Sequence, residues 1–113
     1  MNTNKIILSI ICFLFAFSVK AQTVKTEKIK VYGNCGMCKS RIEKAAKTAG
    51  ASSASWDDES KILVVKYDSK KTDSKKIQAK VAAVGHDTQD ATASKAAYNN
   101  LHECCQYDRK GSN

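Results

Sequence analysis

Lys28-Ile-Lys-Val-Tyr-Gly-Asn-Cys35-Gly-Met-Cys38-Lys-Ser-Arg-Ile42-Glu-Lys-Ala45-Ala46-Lys-Thr-Ala49-Gly50 changes hydrophobic period part-way along. Up to Val31 apolar and charged residues alternate, as they do along a strand that buries one face. Gly33 to Gly36 reads as a loop. From Met37 onward Ile42, Ala45, Ala46 and Ala49 recur at helical spacing, with Lys39, Arg41, Lys44 and Lys47 on the other faces. Gly50 then ends the helix. A strand feeding a helix through a short glycine-containing loop is the first half of a βαβ unit.

Working outward towards the C-terminus, Ala51 to Trp56 is a weak, small-residue strand of the kind found at sheet edges, and Asp57 to Ser60 is a turn. Ile62 to Tyr67 is the strongest strand signal, with Leu63, Val65 and Tyr67 on one face. Thr72 is placed to cap a second helix from Asp73, whose apolar stripe is Ile77, Val81 and Val84; Gly85 stops it. His86 to Thr92 reads as a short final strand. The order β-α-β-β-α-β predicts an α+β ferredoxin-like sandwich, an antiparallel sheet with both helices on one face. Residues 93–113 form an extension beyond it, with helical character over Ser94 to Leu101 and a loose end from Arg109.

Outward in the other direction, residues 1–21 do not read as part of this unit. A basic start is followed by an apolar run from Ile6 to Val19, and Ser18-Val-Lys-Ala21 ends in the small residues that signal peptidase inspects. The run is shorter than the roughly 20 residues that span a bilayer. Cleavage after Ala21, a periplasmic or secreted location and no stable membrane insertion afterwards are the expectations. The domain then runs over 22–92 and the Cys-Cys tail over 93–113. Loss of Lys5 and Lys20 lowers the net charge from +8 to +6. That excess is spread along the chain without an aromatic-rich basic stretch, which argues against nucleic acid as a partner.

Four cysteines follow the leader: Cys35, Cys38, Cys104 and Cys105. An exported chain this small would ordinarily use an even set as disulfide staples. Here each pair is local, so a bridge within it would close a tiny loop and constrain the unfolded chain little. Chemistry is the better explanation. Cys35 and Cys38 stand where a helix begins, and unpaired N–H groups, the positive dipole end and nearby Lys39 and Arg41 all favour thiolate. Two thiolates on one loop suit soft ions, Cu(I) first, with Hg(II) or Zn(II) as alternatives. The competing reading is a dithiol redox pair. The chain has no proline, however, so the cis-proline loop facing the redox cysteines of thioredoxin-like folds is missing. No general acid/base or nucleophilic constellation is visible, so no enzyme is expected.

Val31-Tyr-Gly-Asn-Cys35-Gly-Met-Cys38, followed by Arg41-Ile-Glu-Lys-Ala45, resembles the heavy-metal-associated domain. That family includes copper chaperones, the N-terminal domains of copper-pumping ATPases and the periplasmic mercury-binding protein. The resemblance spans roughly residues 24–92, and implies the same fold, Cys35 and Cys38 as ligands, and a metal-transport or acceptor protein as partner. Two departures stand out. The family's methionine before the first cysteine, tucked under the loop, is absent, and Met37 lies between the cysteines, either packing in that space or facing the ion. His86 stands where the family often has Tyr or Phe, either as a third ligand or as a filler of the aromatic's place.

His102-Glu-Cys104-Cys105 lies outside the resemblance. Three readings stay open for it: a tail that folds back and lends His102, Cys104 or Cys105 to the Cys35/Cys38 site, an independent metal site, or a surface thiol pair that oxidises. Tyr98, Leu101 and Tyr107 offer apolar surface for folding back.

Overall fold

The computed structural model describes residues 23–109. The leader therefore lies outside the described residues, as do 110–113. Strands β1 (Val24–Lys30), β2 (Ser53–Trp56) and β3 (Ile62–Asp68) form an antiparallel sheet in the order β1-β3-β2. Helices α1 (Gly36–Thr48) and α2 (Ser74–Ala83) follow β1 and β3 respectively. The β1–β3 register pairs Ile29 with Leu63, Glu27 with Val65 and Lys25 with Tyr67. The period of two therefore turns Ile29 inward and Val24, five residues earlier, out to solvent, where it is 64% exposed. Inward residues of the sheet join Ile42, Ala45 and Ala46 of α1 and Ile77 and Val81 of α2 in one core. This is the α+β ferredoxin-like arrangement expected from the order of elements.

Two local expectations change. Asp73, not Thr72, caps α2 by accepting from the Lys76 N–H at 2.8 Å. The Thr72 hydroxyl instead donates to the Ala49 carbonyl at 2.7 Å, tying the end of α1 to the start of α2. The final strand expected over His86–Thr92 shrinks to one bridge, Val31 with Thr88. Tyr32 N donates to Asp87 O and Gln89 N to Lys30 O, so the segment does lie along the β1 edge. It leaves at once because Thr88 N turns back to Ala91 O, while the buried Gln78 side chain accepts from both the Thr88 hydroxyl and the Asp90 N–H. Side-chain bonds take over where a ladder would have continued.

The tail packs against this unit. Ser94 caps a short helix α3 (Lys95–Asn99), and a 3-10 turn covers Glu103–Cys105. Leu101, Cys105 and Tyr107 belong to the same core as the helices and sheet. Gly85 is what lets the tail approach. Its φ is +110°, and a Cβ there would stand 2.9 Å from both the Ala97 carbonyl oxygen and the Leu101 side chain. No helix among the described residues is long and apolar enough to cross a membrane.

Candidate metal centre

Cys35 is the N-cap of α1, with extended backbone, which puts it at the end of the helix where the first-turn N–H groups lack intrahelical partners. The backbone N–H of Cys38 is the main reason its thiol falls from 9.0 to about 7, although burial works the other way. Cys38, one turn into the helix, is fully buried, and burial pushes its thiol up to about 11. The loop is seated on Trp56, which is 1% exposed and donates from Nε1 to the Val31 carbonyl at 3.0 Å. A Cβ on Gly33 would meet the Trp56 ring at 3.0 Å and Cys38 Cβ at 3.2 Å, so the indole fills the floor of the loop. Met37 does not pack there; it is 48% exposed.

The tail brings two more sulfurs to this loop. Cys35 Sγ lies 3.6 Å from Cys38 Sγ, 3.6 Å from Cys105 Sγ and 3.7 Å from Cys104 Sγ. Cys104 Sγ is 3.9 Å from Cys105 Sγ and 3.8 Å from Met37 Sδ. The sulfurs of Cys35, Cys38 and Cys105 all lie within 4.8 Å of one another. An ion with metal–sulfur bonds of about 2.3 Å spaces its thiolates about 3.8 Å apart when tetrahedral and about 4.0 Å when trigonal, so the donor set fits a soft cation. Burial raises the Cys105 thiol, and Arg41 beside it works in the opposite direction.

The two histidines take different places. His86 is buried, with Nδ1 2.8 Å from the Tyr32 carbonyl and its ring stacked on Tyr107 at 5.4 Å between centroids. Burial lowers its pKa, which keeps it neutral, and its Nε2 has no hydrogen-bond partner among the described residues. It stands outside the three-sulfur group. His102 is exposed, and its carbonyl accepts from Cys105 N at 2.8 Å; its contribution to the turn is backbone.

What holds the tail in place is a clasp that the sequence did not announce. The Tyr107 hydroxyl donates to Gly85 O and accepts from Asp87 N, both at 2.7 Å. Arg109 grips the buried Asp87 carboxylate through Nε at 3.0 Å and Nη2 at 2.8 Å, and the same carboxylate accepts from Ala93 N at 2.7 Å. Arg41, which the sequence places one turn beyond Cys38 as a charge favouring thiolate, also meets Cys105 once the tail is folded.

No family profile matches the chain, and no curated protein sequence does. Solved structures do. The chain described as "CopZ metallochaperone" is 30% identical, with a TM-score of 0.54, and the match covers 57% of this chain and 98% of that one. The protein belongs to the heavy-metal-associated domain family. A second member, a "sub mutant" of ZiaAN solved by NMR in solution, is 33% identical at a TM-score of 0.50, covering 60% and 99% of the two chains. Each relative is matched almost whole, while a good part of this chain extends beyond the shared domain.

The unequal thiols give an expected result for the reduced, metal-free protein. Thiolate is the reactive form and is present above the pKa, so alkylation of Cys35 should rise through about pH 7. Cys38, with its thiol at about 11, should stay unmodified until far more alkaline solution. Site-resolved mass spectrometry after brief iodoacetamide pulses checks this; equal labelling at pH 7 would contradict the assigned environments.

Proposed function

We propose that this protein is a soft-metal carrier that takes up Cu(I) through Cys35 and Cys38 and passes it to an acceptor protein. The observation that carries the reading is the trio of sulfurs, Cys35, Cys38 and Cys105, gathered within 4.8 Å at the start of a helix. Thiolates select soft ions, and an open loop releases its ion by ligand exchange more readily than a closed four-ligand site. The family relationship to a chain described as a metallochaperone supports carriage rather than catalysis. An acceptor approaching Cys35 meets exposed Met37 and a groove of about 640 Å³ flanked by Arg41, Lys44 and Lys80, so a surface with negative charge would suit it. Export with cleavage after Ala21 is part of this proposal and rests on the leader sequence alone.

An anaerobic competition between reduced protein and a strong chromogenic Cu(I) chelator tests it. The expected result is that the protein holds Cu(I) against the chelator and yields it to a metal-binding domain of the same family. Failure to compete would sink the copper assignment and turn the search to Hg(II) and Zn(II). One observation favours a second reading, thiol–disulfide exchange: a thiol lowered to about 7 lies 3.6 Å from its neighbour's sulfur. A reduction potential well above about −300 mV together with thiol transfer by metal-free protein would support that reading instead.

A further inference from the structure

We propose that the tail turns the loop into a two-ion site, with two Cu(I) ions held side by side in two sulfur triangles that share the Cys35–Cys105 edge. This rests on the carrier reading above and adds a second ion and its ligands to it. The inner triangle is Cys35, Cys38 and Cys105. The outer one is Cys35, Cys104 and Cys105, with edges of 3.7, 3.9 and 3.6 Å. Trigonal coordination at about 2.3 Å asks for edges of about 4.0 Å, so the outer triangle needs only a slight opening, and the inner one has two edges at 3.6 Å and its third within 4.8 Å. Cys35, which touches all three other thiols, and Cys105 become bridging ligands.

Three observations favour two ions over one tetrahedral ion. A tetrahedron needs all six edges near about 3.8 Å. The group of Cys35, Cys38 and Cys105, mutually within 4.8 Å, does not take in Cys104, although Cys104 lies within 3.9 Å of both Cys35 and Cys105, so the edge that fails is Cys38–Cys104. The outer face also has its own extra donor, because Met37 Sδ lies 3.8 Å from Cys104 Sγ, and a thioether is a soft ligand. Charge points the same way. Four thiolates around one Cu(I) leave three negative charges in a partly buried place, whereas a second Cu(I) leaves two, one of which Arg41 offsets. Binding exchanges thiol protons for Cu(I); the protons go to solvent and copper keeps its oxidation state.

The two positions differ in access. Cys38 and Cys105 are fully buried, while Cys104 and Met37 are exposed. The inner ion fills first, and the outer ion is the first that an acceptor's thiolates reach, the inner one following through the shared Cys35.

The test is an anaerobic Cu(I) titration of the reduced protein, read by chelator competition and by the copper–copper vector in X-ray absorption. The native protein should take two ions and show the vector. Cys104→Ser, an exposed position whose replacement circular dichroism can confirm as folded, should take one ion with first-ion affinity within about threefold and show no vector. Saturation of the native protein at one ion, or two ions in Cys104→Ser, would overturn the proposal while leaving the carrier reading intact. No Cu(I) retained at all, or Cu(I) retained equally by Cys35→Ser/Cys38→Ser, sinks the carrier reading and this one with it.

Discussion

Cys35→Ser should lower Cu(I) affinity by at least ~100-fold, since even residues that only orient a metal ligand are worth about 10–100-fold. Cys35 is the sulfur through which every other thiol of the site is connected, at 3.6–3.7 Å. It is also the thiol whose fall to about 7 makes thiolate available near neutral pH. A serine hydroxyl is a hard, protonated donor and replaces neither property. Stability should barely move. Cys35 is only half-buried and caps the helix without a side-chain bond, so the change belongs with surface substitutions worth less than about 0.5 kcal/mol, or about 4 °C in a domain of this size. Cys38→Ser should separate from it. That side chain is fully buried in the core, so a hydroxyl there lacks water and costs about 1–3 kcal/mol in addition to the lost ligand. Chelator competition and thermal unfolding of the two metal-free variants measure both halves. A Cys35→Ser protein that keeps its copper would remove Cys35 from the site.

How legible this was depended on whether the cause was local. The change from alternation to helical spacing across Lys28–Gly50 is a property of neighbouring residues, and it foretold β1, the loop and α1. The weak β2 edge and the strong β3 were readable for the same reason. The fourth strand was not, because its fate depends on Gln78, a helix residue whose amide captures Thr88 and Asp90. Of the two places the sequence left open for Met37, packing under the loop is closed to it because the floor is filled by Trp56, a residue from another strand, eighteen positions beyond Cys38. The tail is the sharpest case. Cys104-Cys105 and the aromatic residues around them raised folding back as one of three readings. What brings them to the loop is a set of long-range partners, Gly85, Asp87, Tyr107 and Arg109, that no periodicity connects. Arg109, which reads as the beginning of a loose end, is instead anchored.

That anchoring has an energetic consequence that can be measured. Asp87→Ala should destabilise the protein by about 3–5 kcal/mol, the usual result of removing one partner of a buried ion pair. Asp87 is fully buried, and its carboxylate accepts from Arg109 twice and from Ala93 N once. Arg109 is about a fifth exposed and can recover water, which places the expectation at the lower end, about 3 kcal/mol. For a domain of this size that is a fall of at least about 12 °C in the unfolding midpoint. Asp87→Asn should fall between, because the amide oxygen can still accept from Ala93 N while the ion pair is lost. The clasp also aligns the tail: Asp87 N donates to the Tyr107 hydroxyl, two residues beyond Cys105. With the carboxylate gone, residues 94–109 should loosen before the sheet does, and amide exchange should report this as early deuteration of the tail while Ile29, Leu63 and Val65 stay protected. Cys35 and Cys38 remain on their own loop and helix, so the variant should still bind one Cu(I) at temperatures below its midpoint. A change of less than about 1 kcal/mol, with the tail still protected, would mean that the Tyr107 hydroxyl bonds and the packing of Leu101 and Cys105 hold it without the ion pair.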